Sequence, residues 1–412
     1  MTEERKLGSM PLLTDQGEMK DFGDGVHMLH LWSNVCVVET SEGVVLFDSG
    51  FEFTGPRIVE ELRAVTDKPV RYVIYGHGHA DHAFGAGAVI EDAALRGFPR
   101  PVVIAHENLP ARFDRYQATL AYQEHINRIQ FAIPEGLPAF SRTYIYPDEI
   151  YSDGLTLRLG GVTFELRHAK GETDDTTWLW IPERKTACVT DLWVWSCPNV
   201  GNPFKVQRFT LEWARALEEV AAKEPELMLP GHGAEIAGRE AVRDACLAVA
   251  RAMRFLHDQV VGMLNEGMWP EEILRSFEWP QEFADSPYLE PIYGHPYFVV
   301  QAVLRQYHGW FDGSASHVFP SSSAEVAREV LQLAGGPAAV LERAEELAEE
   351  GRTQLALHVV DFLIDGGASE REALELKARL LKSRADAEKS LIARNIFLAG
   401  ARRAEDASAD SR

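Results

Sequence analysis

Cysteine is scarce in this chain. Cys36, Cys188, Cys197 and Cys246 are the only four in 412 residues, and none forms a CxxC pair. A disulfide framework is therefore excluded, and reduced thiols are expected. Long apolar runs are also missing: none approaches the roughly 18–20 residues that span a bilayer. The opening MTEERKLGSMPLLTDQGEMKDF lacks the apolar core of a secretion signal. These absences predict a cytoplasmic protein with no membrane span. Positive charge is short as well, with 41 Lys and Arg against 63 Asp and Glu, a net charge of −22. Such a surface repels a phosphate backbone, which argues against nucleic acid as a partner and leaves a small-molecule substrate. What is present is ordinary for a globular protein, 46% hydrophobic and 25% charged, with length for two or three domains.

Patterning divides the chain. HMLHLWSNVCVVET and GVVLFD read as paired strands around a turn at Ser41-Glu42, and residues 55–66 have helical spacing. VRYVIYG is a short buried strand, LTLRLGGVTFELRHA a hairpin turning at Gly160-Gly161, and TTWLWIP, KTACVTD and ELMLPGHG are further strands. The fold class is α/β over 1–240. Beyond residue 240 the pattern is helical, with a capping box at Ser322 and Glu325 and stop signals at Gly335-Gly336 and Gly366-Gly367. A helical domain is expected over 241–401, with FPSSSA (319–324) as a linker and 402–412 as a disordered tail.

The strand VRYVIYG runs into GHGHADHAF. His77 and His79, two apart on extended chain, point the same way. Asp81 and His82 follow at a turn into a helix. The segment can thus offer one ligand pair to each of two metals, with donors that suit Zn²⁺ and also Mn²⁺ or Fe. Further donors stand at strand ends: Asp191 after TACVT, His232 in LPGHG, and Glu172 in HAKGETDDTT. Asp48 in VVLFDSG is placed to orient a ligand histidine. Two such metals would lower the pKa of a bridging water towards 7 and give hydroxide at neutral pH, with Asp81 orienting it as the catalytic carboxylate.

FDSG, HGHADH, HAKGET, TD and PGHG, in that order over residues 24–240, resemble the metallo-β-lactamase superfamily. The resemblance implies an αββα sandwich with a dinuclear site at one edge. By it, His77, His79 and Glu172 hold the first metal, Asp81, His82 and His232 the second, and Asp191 bridges. Most of that superfamily has histidine where this chain has Glu172, while the alkylsulfatase group has an acidic ligand there; His168, four residues earlier, is the competing ligand. Two divalent ions against three carboxylates leave one net positive charge, so the glutamate predicts a weaker attractor of anions.

FLHDQVVGMLNEG, YHGWFDG, GGPAAVLERAEELAEEG and AEKSLIARNIFLAG, within 245–401, resemble the alkylsulfatase dimerisation domain, which implies a homodimer. The chain departs from that group in its bridging aspartate, and the sequence as given ends before the sterol-carrier-like domain such enzymes carry. Asn199 matches the group's asparagine. Lys205 and Arg208 are the candidate sulfate-binding cations, and Trp193 and Trp195 candidate walls of an apolar pocket. His295, with Tyr293 or Tyr297, stands in for a histidine that would fall near Phe298. The expected activity is metal-dependent hydrolysis of a small ester such as an alkyl or aryl sulfate, using two Zn²⁺ per chain. The alternatives are phosphodiesterase, lactonase or other acyl hydrolysis on the same fold, a non-haem iron oxidoreductase, and a non-catalytic dimer.

Overall fold

The computed structural model describes residues 17–368 and 371–410. Among these residues, thirteen strands form two sheets. The first sheet holds β1 (Met19–Asp21), β2 (Val26–Leu29), β3 (Val35–Thr40), β4 (Gly43–Phe47), β5 (Val70–Ile74), β6 (Val102–His106) and β7 (Glu149–Tyr151), in sequence order. The second holds β8 (Gly154–Leu159), β9 (Val162–Ala169), β10 (Thr176–Ile181), β11 (Thr186–Thr190), β12 (Leu227–Pro230) and β13 (Ile236–Ala237), in reverse order across the sheet.

Alternation decides how the layers stack. One face of β2–β6, including Met28, Cys36, Val38, Val45, Phe47, Ile74 and Ile104, meets Phe164, Leu166, Leu179, Ile181, Cys188 and Leu229 of the other sheet. The opposite face of the first sheet, with Val37, Leu46 and Val73, is covered by Ile58 and Leu62 of helix Gly55–Val65 and by Val89 and Phe113. Trp178, Trp180 and Val189 on the outer face of the second sheet pack on Trp213 and Leu217 of helix Thr210–Ala222. This is the expected αββα sandwich. The turns fall where the glycines require them: Leu159 pairs with Val162 around Gly160-Gly161, whose φ values of +53° and +82° suit a two-residue hairpin.

The compact units do not divide at residue 240. The first comprises the chain up to Glu124 and Pro138–His308; the second comprises His125–Leu137 and the chain from Gly309. Helix Arg239–Asn265 explains the shift, because Val242, Cys246, Val249, Met253 and Leu256 share one core with Trp213 and the second sheet. The second unit consists mainly of helices Ser323–Leu333, Pro337–Glu349, Thr353–Asp365, Arg371–Ala387 and Leu391–Asp410. Ala344, Leu347, Leu357, Val360, Leu376 and Leu380 form its main core. The capping box at Ser322 and Glu325 is present. The expected disordered tail is instead helical from 402 to 410, with Ala404 and Ser408 buried; 411 and 412 lie outside the described residues. Among the described residues no helix is long and apolar enough to cross a membrane.

Gly85 joins the histidine turn to the loop after β4. A Cβ there would lie 1.9 Å from the Ser49 carbonyl oxygen and 2.9 Å from that of Phe51. Gly85→Ala should therefore cost about 2–4 kcal/mol, a value expected of overpacking against backbone. Urea unfolding of the variant against the parent measures it.

Candidate metal centre

Every donor of the predicted cluster follows the end of a strand. Asp48 follows β4, His77 to His82 follow β5, Glu172 follows β9, Asp191 follows β11 and His232 follows β12. The parallel pairs β4–β5 and β11–β12 bring four of these ends to one edge. Two groups of donors gather there within 4.8 Å: His77, His79 and Asp191, and Asp81, His82 and His232.

Asp191 joins the groups. Its Oδ2 lies 3.6 Å from His77 Nε2, while its Oδ1 lies 3.1 Å from His82 Nε2 and 3.2 Å from His232 Nε2. Asp81 Oδ2 is 3.5 Å from both of the latter nitrogens. On the other side, His77 Nε2 is 2.9 Å from His79 Nδ1, which is 3.7 Å from Glu172 Oε1. Gly231 permits the approach, since a Cβ would come within 2.3 Å of Asp191 Oδ1.

The outward nitrogens are fixed by partners. His82 Nδ1 is 2.8 Å from Asp48 Oδ2, and His232 Nδ1 is 2.5 Å from the Trp32 carbonyl oxygen, which leaves both Nε2 atoms facing Asp191. Asp48 Oδ1 accepts from Gly76 N at 2.6 Å. Thr190 and the WSN stretch, Trp32 to Asn34, escaped the sequence reading. Thr190 Oγ1 donates to Asp48 at 3.0 Å and lies 3.1 Å from His77 Nδ1. Ser33 donates to the Asp81 carbonyl, and Asn34 Nδ2 donates to the carbonyls of Pro230 and Gly233, bracing the loop of His232. Two small polar residues between apolar strands were the available signal.

The chemistry of the cluster fits divalent cations. His82 Nε2 and Asp191 Oδ1 are buried and have no hydrogen-bond partner despite their proximity. Burial and the charge on His82 push His77 down to about 3, and burial holds His79 well below its usual range, so both imidazoles are neutral as metal ligands must be. Burial pushes Glu172 up to about 8, with Asp191 adding to the effect and Arg208 opposing it. Buried carboxylates crowded in this way suit divalent cations.

The remaining candidates separate. Glu172 stands beside His79, whereas His168 stacks on His106 at 3.6 Å and meets the Asp174 carbonyl oxygen at 3.0 Å, away from the cluster. Arg208 is 2% exposed, pairs with Glu172 Oε1 at 2.5 Å and also donates to the Asn199 carbonyl. Asn199 Nδ2 donates to the same Glu172 oxygen at 2.8 Å. Lys205 is half-buried, and burial, with the nearby charge of Arg208, lowers its pKa to about 7. Trp193 is core, packed with Trp213; the half-buried Trp195 meets it edge to face at 5.7 Å and donates to the Ala234 carbonyl. The chain there has left β11, so strand alternation does not relate the two indoles. His295 caps helix Pro296–Tyr307 by accepting from Tyr297 N at 3.1 Å. Cys197 is buried, and burial pushes its thiol far up, so it is no nucleophile.

Residues 32–232 match the family described as metallo-beta-lactamase superfamily, and 269–407 the one described as alkyl sulfatase dimerisation. A linear primary-alkylsulfatase of Pseudomonas sp. is 27% identical over 391 residues, covering 89% of this chain and 72% of that protein. The alkyl/aryl-sulfatase BDS1 of Saccharomyces cerevisiae is 23% identical over 393 residues, covering 90% and 60%. In fold, the stereoselective inverting sec-alkylsulfatase Pisa1 from Pseudomonas sp. is similar with a TM-score of 0.83 at 20% identity, covering 94% of this chain and 65% of that one. The chain thus spans roughly three-fifths to three-quarters of the relatives it matches.

In the metal-free protein, burial opposes charge on His82 and His232, but Asp191 and Asp81 outweigh it and raise both. The stabilisation they give is complete below the unfolded value near 6.5 and is lost as pH rises through the raised folded values. A metal must displace those protons. Zinc uptake at pH 7 should release about one proton or more per chain. Calorimetry in two buffers of different ionisation enthalpy reads this as a buffer-dependent heat.

Proposed function

We propose that this chain, a metallo-β-lactamase-superfamily hydrolase with an alkyl-sulfatase-type dimerisation domain, is a dinuclear zinc enzyme that hydrolyses alkyl or aryl sulfate esters. The observation that carries the dinuclear reading is the division of Asp191, with one oxygen towards each donor group. His77, His79 and Glu172 would hold one ion, and Asp81, His82 and His232 the other, with Asp191 between them. Four imidazoles among these donors favour zinc. Two ions bound there would supply Lewis acidity and lower the pKa of water into the neutral range.

The residues of the chain do the rest. Asp81, partly open to solvent beside the buried His82 and His232, is the carboxylate able to accept a proton from attacking water. Asp48 and Trp32 hold the Nδ1 protons of His82 and His232, so neither ring can turn. Arg208 pairs with Glu172 and stabilises that carboxylate. Lys205, on the same segment, is the candidate cation for an anionic sulfate. With its pKa near 7, Lys205 gains charge readily when an anion is beside it. Trp195, half-buried beside the His232 loop, offers an apolar surface to the organic part of the ester. The names of the alkylsulfatase relatives support this substrate class over a lactone or phosphodiester. The dimerisation match supports a homodimer, and four buried, unpaired cysteines are consistent with the cytoplasm.

Purified protein should carry about two zinc ions per chain and release sulfate from dodecyl sulfate. Asp81→Asn should lower kcat by about 10²–10⁴. Turnover of a lactone or phosphodiester with none of any sulfate ester would overturn the assignment.

A further inference from the structure

Two loops that bring donors to the centre are tied together by a carboxylate that is not a donor itself. Asp175 stands three residues after Glu172 and is wholly buried. Its Oδ2 accepts from Gly78 N, between His77 and His79, at 3.1 Å. Its Oδ1 accepts from Arg112 Nε at 3.0 Å. Arg112, on helix Leu109–Ala118, is 3% exposed and also pairs with Asp174. The Asp174 carbonyl is held in turn by Asn108 Nδ2 at 3.0 Å and met by His168 Nε2 at 3.0 Å. A second tie, Thr177 N to the Gly76 carbonyl at 2.6 Å, runs parallel to the first.

The approach at Gly78 is tight. A Cβ on Gly78 would lie 2.8 Å from Arg112 Cδ and 2.9 Å from Asp175 Oδ2, so only glycine lets the backbone N–H reach the carboxylate. Both Asp175 oxygens accept from donors. An amide in its place has one acceptor and must turn its NH₂ towards an N–H, which breaks one of the two bonds.

We propose that Asp175, held by Arg112, is a positioning residue that sets the distance from Glu172 to the His77–His79 pair and so governs retention of the ion at that half of the centre. Among the described residues, the hydrogen bonds of Asp175 and Arg112 do not involve the loop of His232. The half made by Asp81, His82 and His232 is held chiefly by Asp48, Trp32 and Ser33, with Asp48 and Thr190 also reaching the His77 side. The inference rests on the reading of the centre as a two-ion site.

The test is equilibrium dialysis of the purified full chain against buffered free zinc, with Asp175→Asn and, as a second variant that keeps the charge but loses the guanidinium fork, Arg112→Lys. The parent should bind two ions. Each variant should weaken one binding step about 10–100-fold, the range for losing a partner that orients metal-bearing groups, and leave the other within about 2-fold. The weakened step should be the one that survives in His232→Ala. A parent that binds no zinc overturns the two-ion reading itself. A parent that binds two ions with both variants unchanged, or with both steps weakened equally, overturns the role of Asp175 alone.

Discussion

The carboxylate of Asp191 is the constraint around which the first unit is arranged. A carboxylate so buried costs several kcal/mol unless opposing charge and hydrogen bonds meet it. His82 and His232 meet it from one side and His77 from the other. Burial opposes its charge, but the two charged imidazoles hold its pKa well below the usual range. Each imidazole must in turn be held by its other nitrogen, and the holders are Asp48, the Trp32 carbonyl and Thr190. Charge at the centre thus sets demands two layers out, on residues that are not donors themselves.

The sandwich meets those demands at some conformational cost. Asp48 and Thr190, which both follow or end a strand beneath the centre, have φ values of +65° and +41°. For a β-branched threonine this is a strained backbone. The pairing of β11 with β12 shifts between Cys188 and Thr190, and the irregularity re-aims the hydroxyl. Without it, Thr190 could not meet both Asp48 and His77. Gly76 allows the same approach, since a Cβ would lie 2.6 Å from Asp48 Oδ1 and 2.6 Å from Thr190 Oγ1.

Much of the centre was legible because ligand chemistry is local in sequence. HGHADH carries four donors in six residues, and Asp191, Glu172 and His232 each close an apolar strand in a loop. What supports them was not legible, because support comes from sequence-distant residues of ordinary type. Nothing about Thr190 or Arg112 distinguishes it until the fold brings it to a buried polar atom. The stacking of His168 on His106 is of the same kind, and it removes a histidine that sequence alone could not separate from Glu172. Helical periodicity located the helices after residue 240 but not their allegiance. Helix Arg239–Asn265 belongs with the second sheet because its apolar stripe completes the core of Trp213, a tertiary fact that no local pattern carries. The charged ending RRAEDASAD resembles a solvated tail, yet small alanines at 401 and 404 let the helix continue against its neighbours.

The pairing of Glu172 with Arg208 changes the charge argument that the sequence suggested. A glutamate where histidine is usual would lower the positive charge of a two-ion centre by one. Arg208 restores that charge 2.5 Å away, on a guanidinium that does not titrate in a protein. The centre with Glu172 and Arg208 therefore carries the same formal charge as one with a neutral histidine, and it is no poorer an attractor of anions. What differs is where the charge lies. The carboxylate faces His79 and Asp191, and the guanidinium sits behind it with Asn199, so the pair forms a buried dipole with its negative end towards the metal groups. Such a pair is costly to break from either side, because the partner left behind is an uncompensated buried ion worth about 3–5 kcal/mol. Glu172 and Arg208 therefore act as a single unit in physical terms, and neither can be read without the other.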